Sequence, residues 1–188
     1  DVVRSRGLGD VYKRQALTDL NRYPDGNASA FKEKVASSFD VLPSMVTVGN
    51  GSNDIIEFIA KCFLSFGDTA IYSKHGFAIY PLAIKASGAE AIKVEAKNWG
   101  HDLEAMADAI QENTKVIFIA SPNNPTGTAL TLEEIEKFLT KIPDNIVVLI
   151  DQAYFEYVEN EEFKVPFKLV EKFKNLIISR SFSKAHGL

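Results

Sequence analysis

From residue 69 onward the chain repeats one pattern. A short, almost unbroken apolar run is followed by a longer stretch in which apolar positions recur at helical spacing. The runs at 69–72, 91–95, 116–120, 146–150 and 176–179 are too short for helices and have no polar face, so they predict strands of a parallel sheet covered on both sides. The spacing predicts helices over 28–39, 53–65, 78–86, 103–111 and 132–141. Thr131 and Glu134 stand at capping-box distance, and Asp102 is placed to cap a helix after the loop Trp99-Gly100-His101. Within 53–65, Ile55, Ile56, Ile59, Cys62 and Phe63 fall on one face, which predicts Cys62 in the core. Strand–helix alternation predicts an α/β fold: a three-layer α-β-α sandwich around a mostly parallel sheet.

Composition narrows the classes. A chain of 188 residues, 46% hydrophobic and 24% charged, can build one substantial core. A net charge of −4 argues against a nucleic-acid surface. No apolar run approaches the ~20 residues that span a bilayer, and no signal-peptide core is present, so no membrane partner is expected. The single cysteine, Cys62, excludes an internal disulfide and fits a reducing compartment, the cytoplasm. His75 and His101 lack ligand-spaced Cys or carboxylate neighbours, so no metal site is expected. Residues 1–15 stand apart. Their stretch Ser5-Arg6-Gly7-Leu8-Gly9-Asp10-Val11-Tyr12-Lys13-Arg14-Gln15 reads as the direct translation of a sequencing-library adapter. With four basic residues against two acidic ones, residues 1–15 carry +2, leaving −6 for the rest. This leader is expected to be non-native and disordered, and the chain to be a gene fragment cut at both ends.

The chemistry-bearing residues sit just past the apolar runs. Ser121-Pro122-Asn123-Asn124-Pro125-Thr126-Gly127 follows the third, Asp151-Gln152-Ala153-Tyr154 the fourth, and Ser181-Phe182-Ser183-Lys184-Ala185-His186-Gly187-Leu188 the fifth. A lysine amine, an acid, an amide and a phenol at successive strand ends suit the binding of pyridoxal phosphate. The lysine can hold such a cofactor as a Schiff base, the acid can pair with the pyridinium nitrogen, and hydroxyls can hold the phosphate. Gly49-Asn50-Gly51-Ser52-Asn53 leads into the helix predicted at 53, where glycine backbone and helix amides suit a phosphate. Each motif alone has a plainer reading: a tight turn with Ser52 as cap, an Asn-Pro-Gly turn, a capping aspartate, a surface lysine. Their combination is what carries specificity.

In this order the motifs resemble the large domain of fold-type-I pyridoxal-phosphate-dependent aminotransferases, over nearly everything from Ala16 to Leu188. The resemblance implies that residues 16–188 are part of that domain. It implies catalytic roles for Lys184, Asp151 and Tyr154, with Lys184 bearing the cofactor and Asp151 holding its ring nitrogen protonated. Asn124 and Tyr154 would bond the phenolic oxygen, while Gly51, Ser52, Asn53, Ser181 and Ser183 would hold the phosphate. Phe77 would stack on the pyridine face, although core packing is an equal use for it. Tyr23 would reach the phosphate of a neighbouring subunit in a homodimer, although a turn tyrosine is its plainer reading. His186 departs from the pattern, which has Tyr or Phe there. Trp99-Gly100-His101-Asp102-Leu103-Glu104-Ala105-Met106 resembles a segment common in histidinol-phosphate aminotransferases. That implies L-histidinol phosphate and 2-oxoglutarate as substrates, in histidine biosynthesis. Aminotransferases of phenylalanine or another aromatic amino acid share the cofactor motifs and form the alternative. A non-catalytic binding domain of the same fold is a third reading, opposed by the joint presence of Asn124, Asp151, Tyr154 and Lys184. The small domain and a downstream phosphate-binding arginine are not within the 188 residues, so the chain alone is expected to be inactive.

Overall fold

Five strands, β1 (Thr69–Ser73), β2 (Glu90–Val94), β3 (Thr114–Ala120), β4 (Val147–Asp151) and β5 (Leu176–Ser179), lie in one sheet in the order β2-β1-β3-β4-β5, every neighbouring pair parallel. The computed structural model of the chain describes residues 17–187, so the 1–15 segment read as a leader lies outside the described residues. Among the described residues six helices accompany the sheet: α1 (Ser29–Phe39), α2 (Ser52–Phe63), α3 (Ile79–Ala86), α4 (Leu103–Asp108), α5 (Leu132–Leu139) and α6 (Leu169–Lys172).

Period-two alternation explains why the apolar runs have no polar face. In β3, Ile117 and Ile119 point into one core with Met106 of α4, Ile135 and Phe138 of α5, and Leu169 of α6. Val116, Phe118 and Ala120 point into a second core with Ile56, Ile59 and Ala60 of α2 and Tyr80, Ala83 and Ile84 of α3. The result is the three-layer arrangement the pattern predicts. Each fully buried Ile or Phe contributes roughly 2 kcal/mol of apolar transfer, and β4 repeats the arrangement, with Val148 and Ile150 in the first core and Leu149 in the second.

Some predicted details change. Cys62 is exposed, not core. The buried stripe of α2 is Ile56, Ile59 and Ala60, and at 100° per residue Cys62 lies about 110° round from its centre. The helix predicted over 103–111 ends at Asp108, where the Thr114 hydroxyl takes the Gln111 amide at 2.9 Å and turns the chain into β3. The helix predicted over 132–141 ends at Leu139, beside the Thr140 hydroxyl donating to the Lys137 carbonyl at 2.7 Å. The predicted caps hold: Thr131 and Glu134 form a full capping box, and the Asp102 carboxylate accepts the Ala105 amide at 3.1 Å. Four-residue α6, entered just after Pro166, lies in a stretch where no element is predicted; one turn is too short to display a period.

Strand order decides where a ligand can enter. The chain goes from β1 outward to β2, then returns to β3 on the other side of β1. Such a reversal opens a crevice beyond the C-terminal strand ends. Among the described residues no helix is long and apolar enough to cross a membrane, and no three His, Cys, Asp or Glu side chains are grouped to hold a metal.

Candidate active site

A cavity of about 260 Å³ opens at that crevice, lined among others by Gly51, Ser52, Asn53, Phe77, Asn124, Asp151, Tyr154, Ser183 and Lys184. Its wall is assembled from five separate stretches of chain, each delivered by a strand end or a helix start.

The start of α2 forms one part of the wall. A Cβ on Gly49 would stand 2.8 Å from the Asp54 Cβ, so only glycine allows the Asp54 carboxylate to take the Asn50 amide at 2.8 Å. Gly51, at φ +81°, turns the chain into α2. It faces Ser183: a Cβ built there would be 4.0 Å from the serine hydroxyl. Helix amides, glycine backbone and a hydroxyl meeting in this way suit an anion.

Asp151 ends β4 and pairs in register with Ala120 and Ser179. Its carboxylate is buried and takes three donors: Tyr80 Oη at 3.1 Å, Ser179 Oγ at 3.0 Å and the Ala153 amide at 3.2 Å. Burial pushes the carboxyl above its ordinary range; the three donors and the nearby Lys184 cation oppose that shift without cancelling it. Tyr80 is itself fully buried, stacked on Phe118 with centroids 5.1 Å apart, and burial together with Asp151 pushes its phenol well up. Asp151 is thus a buried carboxyl in the cavity lining, with Lys184 nearby but no ion-pair partner in contact among the described residues.

Asn124 and Tyr154 stand together, the Asn124 amide donating to Tyr154 Oη at 3.4 Å. Lys184 Nζ lies 5.5 Å from the centre of the Tyr154 ring. Phe77 meets Tyr80 edge-on at 5.9 Å and supplies an apolar wall. Asn123, beside Asn124, ties this loop to the loop after β1 by donating to the His75 carbonyl at 2.9 Å.

Two of the site candidates are not in this wall. Ser181 is buried one layer behind the cavity rather than in its wall, because its hydroxyl accepts the Ser183 amide at 3.1 Å and bonds the Ser183 hydroxyl. Tyr23 is 99% exposed and outside the cavity. His186 sits 5.3 Å from the Phe182 ring and 3.5 Å from a Glu156 carboxylate oxygen. The structure adds Tyr80 and Ser179, the supports of Asp151. For Tyr80 a signal existed: it follows Phe77 by three residues at a helix start, so both side chains reach the same surface.

Fold and site together define a cofactor-binding α/β chain, and the chain belongs to the family described as aminotransferase class I and II, whose pattern matches residues 8–188. That match begins inside the stretch read as a leader. The chain is 49% identical over 174 residues to a protein named histidinol-phosphate aminotransferase 2 of Haemophilus influenzae (strain 86-028NP), with 93% of this chain and 48% of that protein covered. It is 52% identical over 172 residues to histidinol-phosphate aminotransferase 1 of Mannheimia succiniciproducens, covering 92% and 47%. Its fold superposes with a TM-score of 0.88 and 26% identity on the crystal structure of histidinol-phosphate aminotransferase from Sinorhizobium meliloti in complex with pyridoxal-5′-phosphate, over 93% of this chain and 48% of that one. The chain spans about half the length of the curated relatives it matches.

Proposed function

We propose that this chain is the cofactor-binding part of a pyridoxal-phosphate-dependent aminotransferase that converts L-histidinol phosphate, with 2-oxoglutarate as amino acceptor, in the histidine pathway of the cytoplasm. The observation that carries the cofactor is the meeting of Asp151, Asn124, Tyr154 and Lys184 around one cavity with the Gly51 turn and Ser183. The substrate rests on the names of relatives at 49% and 52% identity.

The residues fit the cofactor. A buried carboxylate held up by desolvation gains most from a cationic pyridine nitrogen, and Asp151 is such a group. The Gly51 turn, the first amides of α2 and the Ser183 hydroxyl would receive the phosphate, with Ser181 fixing Ser183 from behind. Asn124 and Tyr154 would hold the phenolic oxygen, and Phe77 would cover the ring. Bound there, pyridoxal phosphate supplies an aldehyde carbon that accepts amines and an electron-withdrawing ring that stabilises negative charge beside it. The Lys184 amine would hold the cofactor and, once the substrate amine has replaced it, would act as the proton carrier between the substrate's α-carbon and the former aldehyde carbon on the other side of the nitrogen. Tyr154, beneath that amine, keeps it aimed at the reacting carbons. Tyr23 would belong to the cavity of a partner subunit in a homodimer.

Loading the chain with pyridoxal phosphate, reducing with borohydride and mapping the labelled peptide tests the cofactor reading. The pyridoxyl group is expected on Lys184; a label on another lysine, or on none, overturns it. Assaying the whole protein with L-histidinol phosphate and with phenylalanine tests the substrate, and a preference for phenylalanine overturns that part alone.

A further inference from the structure

His101 belongs to a sequence segment that the cavity wall does not include. Its ring is buried, and Nε2 lies 2.9 Å from the Ala120 carbonyl oxygen and 3.1 Å from the Ala120 amide nitrogen. Pairing of β1 with β3 stops at Tyr72 and Phe118, because beyond Ser73 the chain turns away and the Lys74 amide goes to the Val94 carbonyl at 2.8 Å. The last residue of β3 therefore has an open edge on the β1 side. The His101 ring fills it, donating to the carbonyl or accepting from the amide according to its tautomer.

The loop that carries His101 is built tightly on both sides. Lys97 and Gly100 form a two-residue hairpin, their amides bonding each other's carbonyls at 3.3 and 2.9 Å, with Asn98 and Trp99 at φ +51° and +66°. Positive φ at a tryptophan costs about 1 kcal/mol or more, and the indole is held there against the His75 ring at 5.0 Å. Gly100 is pressed on Thr128, where an added Cβ would sit 3.2 Å from the hydroxyl. On the other side, Asp102 caps α4. The hairpin before the histidine and the cap after it hold the main chain from which the ring projects.

We infer that His101 is a positioning residue for the cavity floor, closing the free edge of β3 at Ala120 and thereby fixing the main chain of Asp151. Ala120 lines the cavity and pairs in register with Asp151, and the next amide, Ser121, donates to the Asp151 carbonyl at 3.0 Å. A shift of Ala120 moves the backbone from which the Asp151 carboxylate projects. Apolar packing would not need an imidazole here. Its Nδ1 is buried without a partner among the described residues, and burial holds the ring's pKa down to about 4, so it is neutral at working pH. A phenylalanine would fill the same space with no orphaned nitrogen.

The inference rests on the proposed cofactor reading for its consequence, not for its geometry, and the test separates the two. Amide hydrogen exchange and pyridoxal-phosphate affinity are measured on the full 188-residue chain with His101, with His101→Phe and with His101→Gln, whose amide can donate and accept. With Phe, the Ala120 and Ser121 amides are expected to exchange about tenfold faster than the change in global stability requires, and cofactor affinity to fall about tenfold, as for loss of one buried hydrogen bond. Gln is expected to restore most of both. Unchanged exchange at Ala120 and Ser121 with Phe, or Gln behaving like Phe, overturns the inference. If the variants do not fold, ¹⁵N spectra of the unmodified ring decide: one neutral tautomer down to pH 5 supports it, and titration near 6.5 overturns it. If the unmodified chain takes up no pyridoxal phosphate, the cofactor reading fails while the exchange data still judge His101.

Discussion

At the scale of single residues, Asp151 and His101 pull stability in opposite directions with pH. His101 has a folded pKa of about 4 against 6.5 unfolded, so its contribution is complete above pH 6.5 and is lost as pH falls through 4, a change of roughly 3 kcal/mol. The Asp151 carboxyl is raised by burial, so its contribution is present below the ordinary carboxylate range and is lost as pH rises through the folded value. In the cofactor-free chain Asp151→Asn should therefore raise the thermal midpoint at pH 7 by a few degrees. It should also steepen the loss of stability on acidification, since only the histidine effect remains. The same change should weaken pyridoxal-phosphate binding at least tenfold, the scale of a hydrogen bond to a charged group. Urea unfolding from pH 7 to 4.5 checks this; an Asn variant less stable at pH 7 would show that Asp151 is not held against its preference. The residues proposed to carry the chemistry were legible as candidates because reactive side chains stand directly after apolar runs. Tyr80, Ser179 and His101 were not, because what they do depends on partners 71, 28 and 19 positions away.

At the scale of elements, the strands were legible to within one or two residues because burial on both faces writes itself as continuous apolar sequence. What joins the ends of the strands was not. Arg180, the residue after β5, is held by three ring faces from three places: Phe155 at 3.2 Å, Phe167 at 4.4 Å and Phe39 of α1 at 5.3 Å. Its Nε donates at 3.3 Å to the side chain of fully buried Gln152, the residue after Asp151. Burial pushes the guanidinium down to about 10, which leaves it charged at neutral pH. One side chain thus ties the β5 end, where the Lys184 segment begins, to the β4 end that carries Asp151. Arg180→Ala strips Gln152 of that bond and removes the cation from three rings, costing about 3 kcal/mol, or roughly 10 °C in melting temperature for a chain of this size. Arg180→Lys should recover less than half, since an ammonium keeps the charge but not the planar stack. A fall of only a degree or two for the alanine variant in thermal denaturation would remove the clamp.

At the scale of the whole molecule, the candidate site is a product of topology: five stretches between residues 50 and 184 become one cavity because parallel strands put their C-terminal ends on the same edge. Tyr23 is the residue this scheme does not use, being 99% exposed and outside the cavity of its own chain. If it serves the partner's cavity in the proposed homodimer, each site combines Lys184 of one subunit with a tyrosine from the other. Mixing subunits makes that arrangement visible. In the whole protein, Tyr23→Phe should lower activity by weakening the phosphate contact, and Lys184→Ala should abolish it. A mixed dimer of the two has one site lacking both groups and one site with both intact, so co-refolded subunits should exceed the weighted average of the two parent dimers, each heterodimer regaining one full site of two. Should Tyr23 act within its own chain, no mixed dimer can hold an intact site, and activity would follow the weighted average of the parents. Titrating one variant against the other and reading whether activity rises above that line decides between shared and separate sites.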